Sequence, residues 1–366
     1  MPDRALVPIL SSSMPTPDAR PGPGQWGHAG LFQASVPSPA RLSLGEGWTP
    51  LQAARALGLE LGIAELWLKR EDLSPTGSHK ARSLGLMVSD LKARGISQAV
   101  ISSSGNAAVA AAAYCSLAGI RLLSLVSPRT AAVKLSALLR QPQLVVVSEH
   151  PVALLHHAVT AWGMADLRTS TNPLGSAAYR GIAAELVPQG PWQDVFAFAN
   201  SGATVLGLAD GFKLLLAASE RPRMHLVEAA PGGELTRAWY PRAQRLAASG
   251  VGDLGTRRSR LAPRVRRAVR ESAGWGWRIG RAEMEEVLAL CERHGVATSW
   301  EGLAALAAAR EAARRRAGGR WLVVLSGAAE QLDLSPAAAP SVAAAGTPAE
   351  LDRILEAAGF GAGSAA

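Results

Sequence analysis

Leu66-Trp67-Leu68-Lys69-Arg70-Glu71-Asp72-Leu73-Ser74-Pro75-Thr76-Gly77-Ser78-His79-Lys80 is the stretch on which the fold turns. Its apolar start is a strand that runs out into the charged residues Lys69 to Asp72. A turn follows at Ser74-Pro75-Thr76-Gly77. Lys80 then opens a helix over Ala81–Arg94, where Leu84, Met87, Val88 and Leu91 recur at helical spacing. The same alternation continues outward. Short, nearly continuous apolar runs at Gln98–Ser102, Ile120–Val126, Leu144–Val147, Asp194–Phe198, Met224–Ala229 and Trp321–Leu325 read as strands buried on both faces. Helical patterns at Ala107–Leu117, Thr204–Ala218, Glu283–Arg293 and Leu303–Arg316 lie between them. Strands alternating with helices predict an α/β fold with largely parallel sheets. Residues Ala247–Pro263 read as a loop.

In such folds ligands bind beyond the carboxyl ends of strands, against helix N-termini. Four stretches stand there. Lys80 sits at the positive end of its helix, which disfavours the protonated amine; a neutral amine is what carbonyl chemistry needs. Alone, it reads equally as a surface lysine at a helix start. Ser103-Ser104-Gly105-Asn106-Ala107 opens an alanine-rich helix, where backbone N–H groups and hydroxyls suit a carboxylate; an N-cap with a turn glycine is the plainer alternative. Ser201-Gly202-Ala203-Thr204 follows the strand Asp194–Phe198, and its small residues let an anion such as phosphate approach successive N–H groups. Ser326 places a hydroxyl at the end of the strand Trp321–Leu325. Together these supply an amine, a carboxylate cradle, a phosphate nest and a neutral hydroxyl.

Composition narrows the field. With 366 residues and 48% hydrophobic residues, the chain is long enough for two domains with sizeable cores. Cys115 and Cys291 provide neither a disulfide framework nor a metal motif, and the group His150, His156 and His157 lacks the partners of a metal site; no metal is expected. A reducing, cytoplasmic setting is the simplest reading. No signal peptide or plain spanning helix is evident. The net charge of +9 raises nucleic acid as a partner. Its densest part, Arg257 to Arg270, carries no nucleic-acid-binding signature and reads as a solvated helix face or loop.

The four stretches, taken with Leu44-Gly45-Glu46-Gly47-Trp48-Thr49-Pro50-Leu51, resemble the fold-type II pyridoxal-phosphate (PLP) enzymes, and threonine synthases in particular. The likeness runs from about Trp26 to Asp333. Leu44–Leu51 resembles the family's Leu-Gly-Glu-Gly-x-Thr-Pro-Leu, and Lys69–Lys80 its Lys-x-Glu-x-Leu-x-Pro-Thr-Gly-Ser-Phe-Lys. The resemblance implies that PLP is the cofactor and Lys80 its Schiff-base lysine. It further implies that Asn106 faces the PLP 3-oxygen, and that Ser103, Ser104, Gly105 and Ala107 hold the substrate carboxylate. Ser201, Gly202, Ala203 and Thr204 would then take the phosphate, and Ser326 would meet the pyridine nitrogen. The implied chemistry has the substrate amine displace Lys80, whose freed amine takes the α-proton. In threonine synthase, O-phosphohomoserine then loses phosphate and gains water; in the related serine/threonine dehydratases a 2-oxo acid forms. The implied organisation is an N-terminal extension over 1–40, a large PLP domain over 41–80 and 181–335, a smaller domain over 81–180, and an Ala-rich tail over 336–366. A homodimer acting on a small amino acid is the expected assembly.

The chain also departs from that pattern. His79 replaces a usual Phe, Ala81 a frequent Asp, and Ala203 a usual Gly. Asn172-Pro173…Tyr179-Arg180-Gly181 resembles the family's Asn-Pro…Gly-Gln-Lys-Thr, with Arg180 at the Lys position, either meeting a substrate phosphate or lying on the surface. β-Replacement synthases and a non-catalytic PLP- or amino-acid-binding homologue are the competing readings.

Overall fold

The computed structural model describes residues 24–103, 105–130, 132–230, 233–240, 259–316, 319–329 and 342–361. Among the described residues, eleven strands fall into two sheets. The first is built from β1 (Leu51–Ala53), β2 (Glu65–Arg70), β7 (Asp194–Phe198), β8 (Arg223–Ala229), β9 (Gly276–Ile279) and β10 (Arg320–Leu325), in the order β1-β2-β10-β7-β8-β9. All its pairings are parallel except that of the edge strand β1 with β2. The second has β3 (Gln98–Ser102), β4 (Arg121–Val126), β5 (Leu144–Val147), β6 (Ala165–Asp166) and β11 (Ala343–Ala344), in the order β11-β5-β4-β3-β6, all parallel.

The twelve α-helices of the described residues are α1 (Arg55–Leu61), α2 (Lys80–Ala93), α3 (Asn106–Ala118), α4 (Ala132–Leu139), α5 (Pro151–Trp162), α6 (Leu174–Ala177), α7 (Arg180–Leu186), α8 (Ala203–Leu215), α9 (Ala262–Glu271), α10 (Arg281–Arg293), α11 (Trp300–Arg315) and α12 (Pro348–Ala357). They cover both faces of each sheet, so alternate strand residues enter different cores. Phe196, Phe198, Trp321, Val323 and Leu325 pack with α1, α10 and α11. Val195, Ala197, Leu322 and Val324 pack with α7, α8 and α9. This two-sided burial is why the strands read as continuous apolar runs. In the second sheet Ala99, Ile101 and Leu122 face α2 and α3, while Val100, Leu123 and Val146 face α5 and α12. A Cβ at Gly85 of α2 would lie 3.0 Å from the Tyr114 ring of α3, so this glycine lets the two helices approach closely.

The predicted strands and helices are present, with ends shifted by a few residues. Both terminal segments pack on the rest of the chain where they are described. The described part of the N-terminal extension is anchored: Trp26, Phe32, Val36 and Ala40 are buried with Leu86, Ala177 and Ala178, and the Trp26 indole N–H donates to the Leu42 carbonyl at 2.7 Å. The Ala-rich tail returns to the second sheet. β11 pairs with β5, and α12 packs against α5 through the buried Leu351 and Leu355. Thr347 and Glu350 form a capping box at the start of α12, with Pro348 in its first turn. That signal stands in the sequence but is diluted by the surrounding alanines. No helix among the described residues is long and apolar enough to cross a membrane.

Because Leu351 is wholly buried, Leu351→Ala should cost about 2–5 kcal/mol. Urea unfolding followed by circular dichroism checks this; an unchanged midpoint would mean that residues 342–361 are not part of the core.

Candidate active site

Strands β2, β10 and β7 are parallel neighbours, and their carboxyl ends lie level. Leu325 is in register with Arg70, and Val324 with Ala197. Three of the sequence-predicted stretches therefore leave adjacent strands on the same side of the sheet. The loop from β2 to Lys80 is fastened to the end of β10. The Ala328 N–H donates to the Gly77 carbonyl at 2.9 Å and the His79 N–H to the Ser326 carbonyl at 3.1 Å. Ser78 bridges Gly327. Gly77, at φ +68°, makes the required left-handed turn. Lys80 thus starts α2 one residue beyond a segment locked to Ser326.

The His79 side chain strengthens this lock. Its Nδ1 lies 2.8 Å from the Ser326 carbonyl, and a carbonyl can only accept, so Nδ1 carries the proton. Burial, then the neighbouring Lys80 charge, pushes the imidazole well below its usual pKa. His79 is therefore neutral beside Lys80. Tyr179, to which the sequence assigned no role, completes the enclosure. It is fully buried, its ring lies 5.2 Å from that of His79, and the Lys80 Nζ sits 6.0 Å from its centroid. Its hydroxyl meets that of Ser83 at 3.2 Å.

At the end of β7, Gly202 adopts φ +89° and precedes the first residue of α8. A Cβ there would stand 2.6 Å from Val265 Cγ2 of α9. Both the backbone angle and the space require glycine. The Ser259 hydroxyl donates to the Ser201 carbonyl at 2.6 Å, and Ala203 and Thr204 are buried in the first turn. The N-terminal N–H groups and dipole of α8 suit an anion here.

In the second sheet, β3 ends at Ser102 and α3 begins at Asn106 and Ala107. The Gly105 N–H lies 3.3 Å from the Ser103 hydroxyl. A Cβ at Gly105 would meet nothing within 4 Å, so this turn borders open space. Helix α2 leads into β3 and α3 leaves it, so both helix N-termini lie at the carboxyl side of that strand. Ser104 lies outside the described residues. Arg180 belongs elsewhere. Its guanidinium donates to the Leu31 carbonyl at 2.9 Å and stands 3.6 Å from Asp210 on α8. The residue expected to meet a substrate phosphate is engaged as a structural contact, and Tyr179 before it is the one that faces Lys80.

Beneath the site lies a buried network of four charges. Arg82 on α2 reaches Glu71 at 2.7 Å and Glu185 on α7 at 2.6 Å, and Lys69 on β2 reaches Glu185 at 2.6 Å. The Lys69 ammonium also donates to the Thr49 carbonyl at 2.6 Å, the Thr49 hydroxyl to Glu71 at 2.6 Å, and the Trp48 N–H to Glu185 at 2.8 Å. All four charged side chains are at most 1% exposed. Burial alone would raise the Glu185 carboxyl; Arg82 and Lys69 outweigh it and hold the group down at about 2. Burial would likewise lower the Arg82 guanidinium, but Glu185 and Glu71 push it above its ordinary range. Glu185 was not singled out in the sequence, where it is one glutamate in a short helix with no local partner.

These residues fit PLP. The Gly202 turn is a cradle that a Cβ would disrupt. The fully buried Ser299 hydroxyl has no hydrogen-bond partner among the described residues, although the Ser299 N–H donates to the Gly327 carbonyl at 2.9 Å. A polar group is thus held ready beside the end of β10, where an unsatisfied hydroxyl would otherwise cost stability.

A helix-opening lysine fastened to the end of β10, with the Gly202 turn at the end of the neighbouring strand β7, fits what a PLP enzyme requires. The chain belongs to the pyridoxal-phosphate dependent enzyme family, whose model matches residues 42–327. It is similar to the threonine synthase of Mycobacterium leprae, 44% identical over 79 residues, which is 22% of each chain. It is also similar to that of Halalkalibacterium halodurans, 40% identical over 82 residues, 22% of this chain and 23% of the relative. The chain therefore matches less than a quarter of the length of these relatives. Among solved structures, maize serine racemase superposes with a TM-score of 0.66 at 18% identity, covering 76% of this chain and 89% of the other. O-ureido-L-serine synthase gives 0.66 at 17%, covering 77% and 90%. These likenesses establish the fold as that of fold-type II PLP enzymes.

Glu185→Gln should destabilise the protein by about 3–5 kcal/mol, because Arg82 and Lys69 would stay buried with half their neutralising charge gone. Glu185 titrates lower in the folded state than its ordinary 4.5, so its stabilisation is complete above that value and drains away as pH falls toward about 2. Denaturant titrations should show the gap between wild type and variant closing over that window; a constant gap would contradict the account. For Gly202→Ala, PLP affinity should fall by about tenfold or more, from a left-handed penalty of about 1–2 kcal/mol plus the Val265 clash. Absorbance titration with PLP measures it, and unchanged affinity would remove the cradle from the cofactor site.

Proposed function

We propose that the protein is a threonine synthase-type PLP enzyme that converts O-phosphohomoserine and water into threonine and phosphate. The observation that carries this reading is the joining of two threonine synthase-like motifs in one buried network. Thr49 of the first meets Lys69 and Glu71 of the second directly, and Trp48 joins Lys69 and Arg82 through Glu185. The local identity to threonine synthases supports it.

Bound PLP would supply an electron sink for charge that develops at the substrate α-carbon. The chain's own residues would do the rest. Lys80 would hold the cofactor aldehyde and, once displaced by the substrate amine, take the α-proton as general base. His79, neutral and tied to Ser326, keeps a second positive charge away from that amine. Ser326 would offer a neutral hydroxyl to the pyridine nitrogen, and such a partner would suit elimination and replacement over transamination. Ser201, Gly202, Ala203 and Thr204 would bind the phosphate at the start of α8. Ser103, Ser104, Gly105, Asn106 and Ala107 would orient the substrate carboxylate and the cofactor's 3-oxygen.

The engagement of Arg180 with Leu31 and Asp210 favours a second reading, in which the leaving group is a hydroxyl or another β-substituent of a small amino acid. The two readings part on one assay. O-Phosphohomoserine should release phosphate and threonine in equal amounts with no 2-oxo acid, and Lys80→Ala should lower the rate by at least about 10²–10⁴-fold. Formation of 2-oxobutyrate from threonine, with no phosphate release from O-phosphohomoserine, would replace the synthase by the dehydratase.

A further inference from the structure

Arg264 and Arg267, two members of the arginine run that the cofactor site leaves unexplained, line a groove beside α8. The groove lies between α8 and α9 and encloses about 420 Å³. Lys213, Arg221, Arg264 and Arg267 line it, against the carboxylates Asp210 and Glu271. Each carboxylate is shared between cations. Asp210 stands 3.6 Å from Arg180 and 3.9 Å from Arg264, while Glu271 accepts from Arg267 at 2.8 Å and lies 3.7 Å from Lys213. Three of these four separations exceed a hydrogen bond. Two acids therefore leave the positive charge of this groove only partly neutralised.

We propose that this groove is a second anion site, separate from the Ser201–Thr204 cradle, and that it takes a small polyphosphate. The volume falls within the range of small-ligand pockets. Lys213 and Arg264, on facing helices, could each exchange a long contact to a shared carboxylate for a charge-assisted hydrogen bond to phosphate oxygen. Their side chains are 57% and 63% exposed, so a ligand reaches them from solvent. The concave shape, walled by two helices, suits a compact polyanion better than an extended nucleic-acid strand. The groove is linked to the cofactor cradle through the two helices that wall it. Val265, between Arg264 and Arg266 on α9, packs on Gly202, and α8 itself begins at the cradle. A ligand that bridges α8 and α9 should therefore alter PLP affinity, and PLP should alter the ligand's affinity by the same factor.

The test is calorimetric titration of the PLP-saturated full chain with inorganic tripolyphosphate. One saturable site per chain is expected, weakened about tenfold or more in a Lys213→Gln, Arg264→Gln double variant. A control that removes the same charge elsewhere, Arg293→Gln with Arg314→Gln, should bind as the wild type does. PLP titrations with and without tripolyphosphate should differ in wild type and coincide in the double variant. Absence of saturable binding would overturn the proposal. So would equal weakening in the control, which would mean a general charge effect. Simple competition with PLP, unchanged in the double variant, would place the anion in the cradle and also overturn it. Tighter binding of a duplex oligonucleotide, displaced by tripolyphosphate, would reassign the surface to nucleic acid.

Discussion

Arg82 lies wholly inside the protein with its guanidinium divided between Glu71 and Glu185, and the site is arranged around that one buried cation. A charge in such a place is tolerable only when its partners are close and their remaining lone pairs are also used. Lys69, the Thr49 hydroxyl and the Trp48 N–H use them. The consequence is geometric. The loop that carries Trp48 and Thr49, the strand β2, the loop after it, the first turn of α2 and the helix α7 are held to a common point. Lys80 is two residues from Arg82, so the network fixes the helix that Lys80 opens.

A second constraint acts from above. Residues 77–79 pair with 326–328, and His79 adds a side-chain bond to the Ser326 carbonyl. Lys80 is thereby held between the buried ions and the end of β10. The backbones of His79 and Ser326 cannot drift apart without breaking this pairing. The third element, the turn at Gly202, is set by packing, since Val265 fills the space that a side chain would need. A PLP enzyme needs an amine, a ring-nitrogen partner and a phosphate cradle at fixed mutual distances, and the ends of β2, β10 and β7, three parallel neighbours, lead to the candidates Lys80, Ser326 and Gly202.

Much of this was legible in the sequence. The Lys69–Lys80 stretch carries its strand, turn and helix in order, and two-sided burial makes the parallel strands stand out as apolar runs. The turns at Ser103–Ala107 and Ser201–Thr204 announce themselves because small residues cluster between strand and helix. What was hidden depends on contacts far apart in the chain. Glu185 has no partner nearby in sequence, since Lys69 and Arg82 lie more than a hundred residues away. Tyr179 gives no sign of facing Lys80, and the neighbouring Arg180 drew attention for a charge that Asp210 and Leu31 in fact take up. The return of residues 343–344 to β5 was masked by composition, because an alanine-rich segment offers little periodicity to read.

The central claim is that Lys80 holds the cofactor, and it is tested most directly by covalent trapping. The purified protein, saturated with PLP, should be reduced with borohydride, digested and mapped by mass spectrometry. The account predicts one pyridoxyl-modified peptide with the label on Lys80, and none after reduction of Lys80→Ala. A label on Lys69, Lys92, Lys134 or Lys213 in its place, or no label from protein shown to be folded, would contradict it.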